Sequence, residues 1–73
     1  MLHVIDDITG QSVETDEYDF LAAVSPWFPD APVGVERMLS ELADLVTRPV
    51  WPDKVAQFES LFDITITRKE KRN

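Results

Sequence analysis

The sequence predicts an α+β fold: about three helices packed on a small two- or three-stranded antiparallel sheet that pairs the N- and C-terminal strands. Three observations carry this. Both ends hold short β-branched runs, "LHVIDDIT" (residues 2–9) and "DITITR" (residues 63–68). Between them lies a clear helical stripe, "VGVERMLSELADLVT" (residues 33–47). Proline and glycine punctuate the joints. At 73 residues the chain makes one domain, and a chain of this size buries only about 60% of its unfolded surface, so its core is small.

The elements follow in order. Leu2, Val4 and Ile5 open a strand. "TGQS" (residues 9–12) turns the chain, with Gly10 free to take positive φ. "SVET" (residues 12–15) offers a short returning strand. "TDEYDFLAAVS" (residues 15–25) reads as a helix capped by Thr15, with Asp16 and Glu17 suiting its positive end. Pro26 stops it. "PWFPDAP" (residues 26–32) is a connector stiffened by three prolines. Asp30 is placed to cap the next helix, with Pro32 in its first turn. In that helix Val35, Met38, Leu39, Leu42, Leu45 and Val46 recur at helical spacing along one face. "RPVWPDKVAQFESLF" (residues 48–62) predicts a third helix, with Pro52 at its first position and Val55, Phe58 and Phe62, helped by Leu61, turned inward. Ile64 and Ile66 then alternate with Thr65 and Thr67 as a strand. The packed domain is expected over residues 1–67, and residues 68–73 as a flexible basic tail.

Charge is distributed unevenly. The net charge is −7, from fourteen Asp and Glu against seven Lys and Arg. Residues 1–30 contain Asp6, Asp7, Glu14, Asp16, Glu17, Asp19 and Asp30 but no Lys or Arg. The closing "TITRKEKRN" holds Arg68, Lys69, Lys71 and Arg72. A body so polarised steers toward basic surfaces. Tyr18, Trp27 and Phe28 lie in or beside the acidic segment. Tyr18 and Phe20 cannot both face inward, and Trp27 and Phe28 are neighbours in a proline-held loop, so the aromatics left outside form either a protein-binding patch ringed by acids or a partly buried domain edge. Trp51 and Phe58 are assigned to the core.

Catalytic chemistry is not evident. His3 is the single histidine, and Asp6 and Asp7 are strand neighbours that point to opposite faces. Two glycines make no phosphate-cradling loop, and the acids of residues 14–19 lack the glycine of a calcium loop. No cysteine supplies a disulfide or a thiolate ligand, in keeping with a reducing cytoplasm. Neither a signal peptide nor a span of roughly 20 apolar residues is found. The expectation is a monomeric binder, neither an enzyme nor a cofactor or metal protein, located in the cytoplasm.

In length, and in its passage from an acidic N-terminal region to a basic C-terminus, the chain resembles the small phage-encoded transcription regulators that bind bacterial RNA polymerase, of the type found in a Xanthomonas phage. The resemblance implies a partner, the β′ and β subunits of the host enzyme. It also implies an action: inhibition of transcription initiation by disfavouring retention of the primary σ factor, with antitermination near the RNA exit channel. On charge and exposure, Asp6, Asp7, Glu14, Asp16, Glu17, Tyr18, Asp19, Trp27 and Phe28 are the candidate contacts with a partner protein. Arg68, Lys69, Lys71 and Arg72 are the candidate neighbours of nucleic acid. Lys69, Lys71 and Arg72, beyond Ile66, are expected to be mobile in the free protein. Two other classes fit the composition: an acidic mimic of DNA that occupies a nucleic-acid-binding enzyme, and a small oligomeric assembly protein.

Overall fold

The computed structural model describes residues 1–69. Three strands, β1 (Leu2–Asp6), β2 (Ser12–Thr15) and β3 (Ile64–Arg68), and three helices, α1 (Phe20–Val24), α2 (Val33–Leu45) and α3 (Asp53–Phe62), follow in the order β1-β2-α1-α2-α3-β3. The sheet order is β2-β1-β3, with both pairings antiparallel. The fold is therefore α+β, with the N-terminal strand central and paired to the C-terminal one. Val4 faces Val13 on one side and Ile66 on the other.

Period-two alternation sets which face of the sheet is buried. Leu2, Val4, Thr15, Ile64 and Ile66 turn inward, while Glu14, Thr65 and Thr67 stay exposed on the opposite face. Phe20 and Val24 of α1, Leu39, Leu42 and Leu45 of α2 with Val46 beyond it, and Val55 and Phe58 of α3 complete one core. Phe58 stacks on Phe62 at 5.9 Å.

Several boundaries differ from the sequence reading, each for a local reason. The first strand stops at Asp6 rather than residue 9. Its carboxylate accepts the Ile8 and Thr9 N–H groups at 2.9 and 3.4 Å, and its carbonyl accepts Gly10 N–H at 2.8 Å. Gly10 has φ +80°, which closes the turn. The helix expected over residues 15–25 is only α1. Thr15 is the last residue of β2, paired with Leu2. The Asp16 carboxylate accepts the N–H groups of Tyr18 and Asp19 at 2.8 and 2.9 Å, so residues 16–19 form a side-chain-closed turn that competes with the helix. A 3₁₀ turn, Ser25–Trp27, absorbs Pro26.

Pro32, not Asp30, occupies the N-cap of α2, and no side chain caps that end. Its own carbonyl accepts Val35 and Glu36 N–H instead. The third helix starts at Asp53 rather than residue 48, with Pro52 extended at its N-cap. Residues 46–52, holding two prolines, remain a loop. Asp63 ends α3 in the left-handed conformation, φ 55° and ψ 48°.

The tail begins later than residue 68. Arg68 closes β3 opposite Leu2, and the Lys69 N–H donates to the Met1 carbonyl at 2.8 Å. Lys71 and Arg72 lie outside the described residues.

Candidate functional site

The six acids nearest the N-terminus fall at opposite ends of the sheet, not in one patch. Asp6 and Asp7 lie at the hairpin end. Glu14 and Glu17 lie by the chain ends, about 13 Å away along β1. Most of these carboxylates already have work inside the fold. The Asp7 carboxylate accepts the Thr65 hydroxyl at 2.9 and 3.1 Å, tying the hairpin turn to β3. Glu14 pairs with Lys69 at 3.3 Å and lies 3.7 Å from His3 Nδ1. Glu17 accepts the N-terminal ammonium at 3.1 Å.

These contacts lower three carboxyl pKa values. The Ile8 N–H bond lowers that of Asp6, and Lys69 that of Glu14. Glu17 is lowered first by its own backbone N–H and then by the N-terminus. Asp19, at the N-cap of α1, makes no side-chain cap bond.

The expected aromatic patch divides. Tyr18 is 84% exposed, whereas Phe20 is fully buried, as their adjacency to one helix turn requires. Trp27 and Phe28 are both half-buried against the core. Phe28 meets Phe62 edge-to-face at 5.5 Å. These two rings are therefore largely supports of the fold.

The basic residues described here are held too. The Arg68 guanidinium donates to three carbonyls: Pro49 at 2.8 Å, Val46 at 3.0 Å and Arg48 at 2.7 Å. It sits over the Trp51 ring at 4.5 Å, and the Trp51 indole N–H also donates to Val46 O at 3.1 Å. A planar fork with five donors suits this convergence of carbonyls. Arg68 thus staples the 46–52 loop to the sheet and is not free to meet nucleic acid. Lys69, expected to be mobile, is held by Met1 and Glu14.

Two concavities stand out among the described residues. One, about 480 Å³, is bounded by Asp7, Glu59, Asp63 and Thr65. Two of its carboxylates serve the fold: Asp7 accepts the Thr65 hydroxyl, and Glu59 accepts the Ile66 N–H at 2.8 Å and so covers the outer edge of β3. Among the described residues no three His, Cys, Asp or Glu side chains are grouped to hold a metal ion. The other, about 330 Å³, opens between α1 and α2 and is lined by Leu21, Ser25, Phe28, Pro29, Ala31, Glu36, Leu39 and Ser40. The sequence reading missed it. Glu36 and Ser40 read as part of a solvated helix face, and the gap exists only because α1 is short and the proline connector arches across to α2.

No helix among the described residues is long and apolar enough to cross a membrane. No family model, curated protein or solved structure matches the chain. The likeness to phage polymerase regulators therefore rests on length and charge layout alone.

Proposed function

We propose that the chain is a non-enzymatic regulator that works by binding a basic surface of another protein, with bacterial RNA polymerase as the partner. One observation supports this above the rest: among the described residues every Lys and Arg except the exposed Arg37 is engaged within the fold, and a surplus of carboxylates is not. Arg48 pairs with Asp44, Lys54 with Glu41 and Lys69 with Glu14, while Arg68 is enclosed by carbonyls. Among the described residues, the side chains of Asp19, Asp30, Glu36, Asp53 and Asp63 take part in no hydrogen bond or ion pair, and all are exposed. The outward field is therefore more uniformly negative than the composition conveys. Such a field accelerates encounter with a positive surface and disfavours wrong partners.

The choice of polymerase comes from the resemblance in length and charge layout. On that reading the protein docks on the β′ and β subunits, disfavours σ retention at promoters, and promotes read-through of terminators. The test is direct binding to purified core polymerase across a salt series, followed by σ competition and a terminator read-through assay. Binding that weakens steeply with salt, with displacement of σ, supports the reading. Absence of binding at low salt overturns it.

A further inference from the structure

The cleft between α1 and α2 carries a more specific assignment. Its floor and walls are apolar: Leu21, Phe28, Ala31 and Leu39. Leu39 is buried, and Phe28 is braced edge-to-face on Phe62, so the floor is fixed by the core beneath it. Prolines at 26, 29 and 32 order the connector that forms one wall, which lowers the entropy cost of receiving a ligand. At about 330 Å³ the cleft lies at the lower end of the range of roughly 300–1,000 Å³ seen for ligand pockets.

The polar groups at the rim are of one kind. Ser25 and Ser40 contribute hydroxyls, and Glu36 a carboxylate, and none of the three is hydrogen-bonded or ion-paired among the described residues. Asp30, exposed between lining residues Pro29 and Ala31, adds a second carboxylate in the same connector. Among the described residues no Lys or Arg lines the opening. An apolar socket with an anionic rim selects an occupant of matching pattern.

We infer that this cleft receives a segment of the partner protein in which a large apolar side chain stands beside a Lys or Arg. The apolar side chain fills the space between Leu21, Phe28 and Leu39, and the cation meets Glu36. The inference rests on the reading of the chain as a protein-binding regulator, and it places the anchoring contact in the α1–α2 cleft rather than on the acids of the hairpin. Anchors of this kind, one buried side chain within a charged rim, dominate the energetics of many interfaces.

The test uses a probe of defined chemistry. A short amphipathic peptide of Leu and Lys, and its counterpart of Leu and Glu, are titrated into the ¹⁵N-labelled protein. The expected result is saturable shifts of the Leu21, Phe28, Glu36 and Ser40 amides with the cationic peptide and none with the anionic one. Ser40→Trp, which fills the opening from an exposed helix position, should abolish them, and Glu36→Lys should weaken binding about tenfold. Asp53→Lys, an equal charge change on α3, is the control and should cost much less. Far-UV circular dichroism confirms that each variant is folded. Shifts spread over all acidic faces, binding indifferent to Ser40→Trp, or equal losses from Glu36→Lys and Asp53→Lys would overturn the assignment. Failure of the wild-type protein to bind polymerase would count against the proposed partner and leave the peptide result standing.

Discussion

Replacing Arg68 with Ala should unfasten the 46–52 loop and destabilise the whole domain. Its guanidinium makes three hydrogen bonds to carbonyls from a single loop and lies over the Trp51 ring at 4.5 Å. The magnitude follows from how exposed each contact is. The bonds to Pro49 and Arg48 are exposed, so water takes the place of the guanidinium, and each contributes about 0.5 kcal/mol. The bond to Val46 is partly buried and is worth about 1 kcal/mol, since that carbonyl keeps its bond from Trp51. The stacking on Trp51 adds about 0.5–1 kcal/mol. The sum is about 2.5–3 kcal/mol, against roughly 4–11 kcal/mol for a whole domain of this length. The melting temperature should fall by about 10–20 °C.

Urea unfolding followed by far-UV circular dichroism measures this loss. Trp51 fluorescence, read in a Trp27→Phe background, reports the loop itself. Arg68→Lys should recover less than half the stability, because one ammonium cannot span three diverging carbonyls. A loss below about 0.5 kcal/mol for Arg68→Ala, with Trp51 emission unchanged, would refute the staple.

Other consequences of the structure are equally open to measurement. Asp63→Gly relieves a left-handed residue whose carboxylate holds nothing among the described residues, and should stabilise by about 0.5–1 kcal/mol in urea titration; a loss would show that the side chain has a role. Glu59→Ala leaves the Ile66 N–H without its acceptor on the outer edge of β3, which should cost about 1 kcal/mol and promote self-association, seen by size-exclusion chromatography. Asp6, Glu14 and Glu17 all have depressed pKa values in the folded chain, so on acidification the unfolded chain takes up protons first. Their stabilisation is complete above the ordinary carboxyl values of 3.8 and 4.5 and is lost as pH falls through the folded ones; Glu14→Gln should flatten that decline in a urea series run across it. A chain cut after Arg68 loses the Lys69 contacts to Met1 and Glu14 and should melt at a lower temperature than one cut after Lys69; equal melting of the two would show that those contacts contribute nothing.

What could be read in the sequence was whatever depends on near neighbours. The alternation of Ile64 and Ile66 with threonines and the apolar stripe of α2 follow from short-range pattern; the pairing of the terminal strands, which joins Leu2 to Arg68, followed from there being a β-patterned run at each end in need of a mate. The helix expected from Thr15 failed because Asp16 can satisfy two backbone N–H groups by itself, and because Thr15 was claimed by a strand pairing thirteen residues back. Arg68 was misread for a different reason. Its partners are backbone carbonyls 19–22 residues away, and carbonyls leave no signature in a sequence. The cleft was invisible for the same kind of reason: it is a gap between elements, and its depth depends on where α1 stops.

The position of the positive charge in this acidic chain now has a structural account for the residues nearest the sheet. β3 is the last strand, and it pairs with the first, so the chain ends meet at one end of the sheet. Closing that junction requires bonds to carbonyls and carboxylates, and cations make them. Arg68 binds the loop that precedes α3, and Lys69 binds Met1 and Glu14. Basic charge at this seam therefore ties the first and last strands together, while Asp19, Asp30, Glu36, Asp53 and Asp63 stay exposed and unpaired among the described residues. The acids that serve the hairpin and the seam cannot be changed without loosening the fold, whereas Glu36 and Ser40, exposed at the α1–α2 cleft, can. If the cleft is the anchoring site proposed above, binding and stability are separable by mutation there.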